Sequence, residues 1–507
     1  MYKWFDFALS AAVSGTENLY MNKTDSGISF DTYFNCISIA KVIKYTNIER
    51  IVFVISVVGS HTAEIAAYNG SEEKILAEAE GNTISVGISQ VPTDSRLIYL
   101  KINGCDEVDG VSVYAECKAV RKISAAAVMC TYKREEYAVS NANLLAEISE
   151  SNPLLSEVIL VDNGMTVSDS SLNNKIRLVP NINNGGSGGF SKGMSEAVKK
   201  EDCTHIILLD DDVSIEPLSF NKMLGFLQFV KEEYRDISIS GSMLYIDNFL
   251  RQFEAGGNFG KDGKQKGFGH YLDLSLRESL FENEAENDIN YGGWWFMCMP
   301  SDYARSGQLP MPFFIKYDDV EYALRCKLRI ITLNGVGIWH EPFEWKYNSV
   351  SEYYNTRNYL HLCDLYCERF TNRKARRVVR KKMLEKLGRH QYKMVEAVKL
   401  GYEDFLKGID YLKQINPKEK HCQVCELNYE MLSMSDLNEI KTGKQLSSGF
   451  FSIYNTIVVD SFFDRKKQYF MKNKVIHYKE EIDKGYVTEF SFNKIMFFLF
   501  YIVKKLL

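Results

Sequence analysis

The stretch HIILLDDDVSIEP (205–217) sets the apolar run Ile206 to Leu209 directly before three adjacent aspartates, Asp210, Asp211 and Asp212. A short apolar run bounded by charge reads as a buried strand. Like charges side by side are unfavourable unless positive charge meets them. Outward from this point the chain alternates strand and helix. SAAAVMCTY, SEVILVDNG and KIRLVPN read as strands, and SNANLLAEIS and SKGMSEAVKKE as helices. Such alternation predicts a largely parallel, Rossmann-like sheet. Ligands bind such sheets at the carboxyl ends of the strands, where Thr131, Asp162 and Asp210 to Asp212 fall.

The 507 residues are too many for one core. Residues 1–120 carry short runs rich in Val, Ile and Tyr, punctuated by Gly, Asn or Asp, and predict a β-sandwich. No acid, base or nucleophile cluster stands out there, so a binding or oligomerisation module is expected. Residues 121–365 hold the alternating pattern. Residues 366–507 read as a helical, basic domain with an apolar tail. The expected fold is therefore a multidomain α/β protein.

Hydrophobic content of 45% and charged content of 25% are those of a folded protein, and a net charge of −5 gives no sign of nucleic-acid binding. Eleven cysteines and a start without a signal pattern fit reduced thiols in a cytoplasmic protein. Cys422 and Cys425 form one CxxC beside His421, but no second CxxC completes a zinc site. No apolar run is long enough to span a membrane. The tail FSFNKIMFFLFYIVKKLL (490–507) suits a helix lying in an interface, or one docked on the protein's own core. The basic run RKARRVVRKK (373–382) is either a solvated face or a contact for an anionic membrane or a pyrophosphate-bearing lipid, which would make the protein peripheral on the plasma membrane.

Asp210 and Asp212, at i and i+2 after a strand, can reach one divalent cation, which would relieve the crowding and clamp a diphosphate. NNGGSGGFSKG (183–193) follows the third strand, and its glycines would let backbone approach a ligand. It has neither the Walker A nor the dinucleotide spacing. Trp294 and Trp295 in NYGGWWFMCMP suit sugar stacking or the core. MPFFIKYDDVEYALRC offers Asp318, Asp319 and Glu321 as candidate bases. His340 in GVGIWHEPF could complete the metal shell. Together these describe displacement of a nucleoside diphosphate from a sugar by an acceptor hydroxyl, with inversion.

The motif set TYFN (32–35), TYKRE (131–135), VDNG (161–164), NNGGSGGF (183–190), LLDDDV, FEAGG (253–257), GGWWF, FIKYDDVEY, WHEPF and YYNTRN (353–358) resembles the family 2 GT-A glycosyltransferases. Its number and order are most similar to the bacterial galactofuranosyltransferases that polymerise mycobacterial cell-wall galactan. That resemblance implies a β-sandwich, a GT-A domain and a helical domain in a homo-oligomer. It implies Mn or Mg on Asp210, Asp212 and His340, and Asp319 as base. It places Arg134 and Asn163 toward the nucleotide, where Thr131 and Asp162 are expected from their strand ends, with Asp211 turned toward the nucleotide or neighbouring backbone. Asn183, Glu254, Trp294, Trp295 and Asp318 would lie toward the donor or acceptor sugar. UDP-galactofuranose is the implied donor and a lipid-linked or polysaccharide glycan the acceptor. The readings set against it are a family 2 enzyme using another nucleotide sugar, such as a rhamnosyl donor, and an inactive glycan-binding or scaffold protein. Beyond about residue 370 the resemblance fades.

Overall fold

The computed structural model describes residues 1–507 except 12, 434, 438–456, 461–473 and 480–481. The chain forms two compact units. One comprises Met1–Phe259, Lys264–Met311 and Asp319–Glu341; the other comprises Gly260–Gly263, Pro312–Asp318 and Pro342–Leu507. The break that composition places near residue 120 lies inside the first unit.

In the first unit a seven-stranded sheet carries the expected alternation. Its order is Ile176–Pro180, Leu155–Asp162, Ala125–Thr131, His205–Asp210, Phe296–Pro300, Ile237–Ser240 and Arg329–Ile331. The first four strands run parallel, and Phe296–Pro300 is antiparallel to both neighbours. Register brings the ligand-binding ends together: Asp162 lies beside Thr131, and Asp210 beside Cys130. A second, four-stranded sheet joins Val213–Ile215, Gly337–His340, Ser242–Tyr245 and Gln252–Glu254.

The N-terminal strands are hydrogen-bonded into one eight-stranded sheet. The cause is the long strand Arg50–Tyr68. Its first part pairs with Gly110–Glu116 and its second with Leu97–Asn103, while Glu73–Ile88 follows it throughout. This sheet is tied to the rest of the unit through TYFN. Tyr33 donates to Val336 O at 3.2 Å, and the Phe34 ring packs on Trp339 with centroids 5.7 Å apart. Lys222, on helix Pro217–Phe229, is buried and donates to Phe34 O at 2.9 Å and to Cys36 O at 2.5 Å. Burial lowers its pKa to about 8, with Cys36 and Glu284 opposing the shift.

The second unit contains helix Ser349–Tyr366, which precedes the region read as helical, and helices Asn372–Leu387 and Tyr392–Phe405 within that region. That reading misses a four-stranded sheet of Leu432–Ser433, Lys484–Glu489, Lys474–Lys479 and Ile457–Asp460. Its members VIHY and YVT are β-branched and aromatic, and pair with one another in register, Val475 opposite Thr488 and His477 opposite Tyr486. All eleven cysteines are free thiols. Among the described residues no helix is long and apolar enough to cross a membrane.

Lys222→Met keeps the apolar stem but leaves two buried carbonyls without their donor. We expect a loss of about 1–3 kcal/mol, read from the urea midpoint. An unchanged midpoint would show that the ammonium contributes nothing net to the join.

Candidate active site

The aspartate turn begins where strand His205–Asp210 ends. Three groups answer its charge. Arg134 Nη1 lies 2.6 Å from Asp212 Oδ2 and 3.2 Å from Asp211 Oδ1. Burial works against the Arg134 charge, but Asp212, Asp211 and Asp210 outweigh it and hold its pKa up. Thr131 donates to Asp211 Oδ2 at 2.7 Å. Asn141, buried on helix Glu135–Ser151, donates to the carbonyls of Asp211 and Val213 at 2.9 and 2.8 Å and so fixes the turn's backbone. Asp211 is therefore engaged by its own chain. Burial raises its pKa, while Arg134 opposes the rise.

His340 arrives from the far side of the sequence by strand pairing. Val213 lies opposite His340 in an antiparallel register, which brings the imidazole to the aspartate turn. His340 Nε2 is 3.3 Å from Asp212 Oδ1. Its Nδ1 lies 2.5 Å from the carbonyl of Glu341, an acceptor, so Nδ1 is the donor there and Nε2 is the nitrogen turned toward the aspartates. One ligand atom each from Asp210, Asp212 and His340 lie within 4.8 Å of one another. Two carboxylates and an imidazole are a donor set that fits Mn or Mg.

The VDNG turn is shaped from within. The Asp162 carboxylate accepts from the amides of Gly164, Thr166 and Val167 at 2.6–2.8 Å. Asn163 donates to Gly185 O at 3.0 Å and accepts from Asn181 at 2.7 Å. Asn183 Oδ1 accepts from the Gly185 amide at 3.0 Å. These contacts tie the second strand end to the glycine segment. That segment is mostly helix, Gly185–Ala197, and begins earlier than SKGMSEAVKKE suggests. Its glycines serve packing on the sheet. A Cβ on Gly189 would sit 1.9 Å from Cys130 Sγ, and one on Gly193 would sit 2.1 Å from Val128 Cγ1. Gly185 alone there needs the left-handed backbone, at φ +73°.

Glu254 lies on the same four-stranded sheet as His340 and is buried. Burial, followed by the Asp319 charge, raises its pKa to about 8, with a Tyr291 hydrogen bond opposing. His270 Nε2 is 3.7 Å from its Oε2. Glu254 is thus protonated at neutral pH beside an aspartate. Sequence reasoning gives no role to Asn141, Tyr291 or His270: Asn141 and Tyr291 stand in stretches read as a helix and as a tryptophan motif, and only folding brings their side chains to the site.

Trp294 and Trp295 keep only 6% and 7% of their surface exposed. Trp295 donates to Gly241 O at 3.1 Å, and Trp294 packs edge-on against Phe190 and Tyr322. The open stacking faces read from the sequence are therefore largely filled by the protein's own core. Glu321 is fully buried and paired with Arg325 at 2.8 Å, which removes it as a candidate base.

Asp318 and Asp319 open the helix Asp318–Cys326. The preceding loop holds Phe314, Lys316 and Tyr317 at φ 74°, 68° and 66°. Left-handed backbone at such residues persists only where surroundings enforce it. Here the second unit enforces it through YYNTRN. Arg357 donates to Phe313 O at 2.6 Å, and Asn358 donates to Ile315 O and Lys316 O, each at 2.9 Å.

Residues 126–282 match the family described as Glycosyl transferase family 2. This stretch is similar to family 2 glycosyltransferase domains. It contains the aspartate turn, Arg134 and Glu254; Asp319 and His340 lie beyond it. The chain is 26% identical over 386 residues to galactofuranosyltransferase GlfT2 of Mycolicibacterium smegmatis, covering 68% of this chain and 58% of that protein. It is 25% identical over 442 residues to the galactofuranosyltransferase GlfT2 of Mycobacterium tuberculosis, covering 77% and 67%. The chain thus spans less than two thirds of the first relative. A solved mannosyltransferase from Pyrobaculum calidifontis, in complex with GDP-Man and Mn2+, aligns at 10% identity with a TM-score of 0.33, covering 61% of this chain and 85% of that one. A likeness that distant carries no argument.

The Glu254 pKa sets a pH dependence. It lies above the unfolded value of about 4.3, so its stabilisation is complete below that pH and is lost as pH rises toward 8. Glu254→Gln mimics the protonated form. Its melting temperature should fall less than the parent's between those limits, by a margin on the order of a few degrees. Parallel curves would show that the carboxyl is not held protonated.

Proposed function

We propose that the protein is an inverting, metal-dependent galactofuranosyltransferase. It moves galactofuranose from UDP-galactofuranose to a hydroxyl of a lipid-linked or polysaccharide glycan. The observation that carries this reading is the convergence of Asp210, Asp212 and His340 at the strand ends of a family 2 glycosyltransferase domain. The choice of donor rests on the two mycobacterial relatives, whose similarity runs well past residues 126–282.

Asp210, Asp212 and His340 would hold Mn or Mg. The chemistry such an ion supplies when bound is charge neutralisation at the diphosphate. Thr131, Arg134, Asp162, Asn163 and Asp211 build the nucleotide end of the site, with Asp211 acting by bracing Thr131 and Arg134. Asn183 and Asp318 build the sugar end, which Trp294 and Trp295 back from the core. Asp319 takes the proton of the acceptor hydroxyl. That oxygen attacks the anomeric carbon opposite UDP, the bond to the diphosphate oxygen breaks, and the configuration inverts. Glu254, protonated, donates a hydrogen bond to a sugar hydroxyl and leaves Asp319 as the ionised member of the pair.

The test is UDP or dTDP release with Mn, glycan acceptors and a panel of UDP-galactofuranose, UDP-galactopyranose and dTDP-rhamnose. Release with the furanose donor alone, abolished by a chelator, is expected. Release only with another donor would remove the furanose assignment, and no release with any would favour the scaffold reading.

Asp319→Asn should lower transfer by about 10²–10⁴-fold while UDP binding, measured by calorimetry, stays unchanged. Near-normal turnover would remove Asp319 from the role of base.

A further inference from the structure

The helix Phe492–Tyr501 and the wider turn Ile502–Leu506 that continues it present two apolar faces. Ile495, Phe498, Ile502 and Leu506 are buried in a core with Val379 and Met383 of helix Asn372–Leu387 and Val395 of the next helix. The second face is open. Phe492 is 63% exposed, Phe497 57%, Phe500 66% and Val503 61%. Residues 492, 496, 500, 503 and 507 recur at spacings of four or three, which places them along one stripe. A contiguous apolar stripe of this kind marks an interaction surface, whereas isolated exposed side chains do not. An open groove of about 400 Å³ lies alongside, lined by Tyr392, Leu427, Phe497 and Phe498.

The charge around the stripe is positive. Lys494, Lys504 and Lys505 are exposed on the same helix, and Arg373, Lys374, Arg377 and Lys381 are exposed on helix Asn372–Leu387, which packs against the terminal turn. None of these seven forms an ion pair among the described residues. The nearby acids are engaged: Glu396 pairs with Lys399 at 2.7 Å, and Glu403 accepts from Tyr501 at 3.3 Å.

We propose that this face is a docking surface for an anionic lipid bilayer. The phenylalanines enter the headgroup boundary and the flanking Lys and Arg residues meet lipid phosphates. The helix is thereby both of the things the sequence left open: one face docks on the protein's own core and the other faces an interface. The inference is independent of the glycosyl-transfer reading.

The test is co-sedimentation of the full chain with vesicles of phosphatidylcholine alone, or mixed with phosphatidylglycerol. Binding to the mixed vesicles is expected, weakened at least about tenfold in Phe497→Glu/Phe500→Glu and by added salt. Both positions are exposed, and an unchanged circular dichroism spectrum and melting temperature would confirm that the variant folds. No binding by the parent chain, binding that the substitutions leave intact, or equal binding to neutral vesicles would each overturn the proposal. So would a substitution that splits a larger assembly in analytical ultracentrifugation with vesicle binding unchanged, because the face would then belong to a second copy.

Discussion

Three neighbouring carboxylates at the end of a buried strand can be held only where positive charge and hydrogen-bond donors converge on them. Much of the first unit is arranged to meet that demand. Arg134 spans Asp211 and Asp212, Thr131 holds the far oxygen of Asp211, and Asn141 pins the backbone of the turn. Asp210 and Asp212 then face His340 as a ligand set. Within the triplet Asp211 is engaged by Thr131 and Arg134, Asp212 meets both Arg134 and His340, and Asp210 joins Asp212 and His340 in a cluster close enough for a cation.

Within the second unit a loop is held in an unusual backbone conformation. Arg357 and Asn358 hold the carbonyls of a loop whose backbone would otherwise relax, and that loop runs directly into Asp318 and Asp319. YYNTRN therefore has a physical reason to accompany FIKYDDVEY. TYFN has a comparable one in the first unit, since Tyr33 and Phe34 brace the strand that ends in His340. The N-terminal sheet thus supports the neighbouring strands directly, a role that its lack of reactive residues did not suggest.

What was legible in the sequence was local. The run IILL before DDD, the β-rich strands and the helix after TYKRE are all written in periodicity. The aspartates advertise themselves by crowding. What was not legible depends on distant contacts. Gly189 of NNGGSGGF looks like part of a ligand loop, but the need for a glycine there comes from Cys130 on another element, and Gly193 just beyond it answers to Val128. The tandem tryptophans look like a platform until Phe190, Tyr322 and Gly241 O claim them. VIHY and YVT are too short to be told from helix segments until they pair. The protonation of Glu254 depends on burial and on Asp319, neither visible from FEAGG.

The pairing of Val213 with His340 also bears on how the protein folds. Its two strands are far apart in the chain, so the loop between them must close before the imidazole meets the aspartates. Contacts of such long separation are slow to form. A slip of one residue in this register would turn His340 to the opposite face of the sheet. The donor set therefore doubles as a report on folding: the three groups come together only in a chain that has closed the loop between Val213 and His340 in the correct alignment.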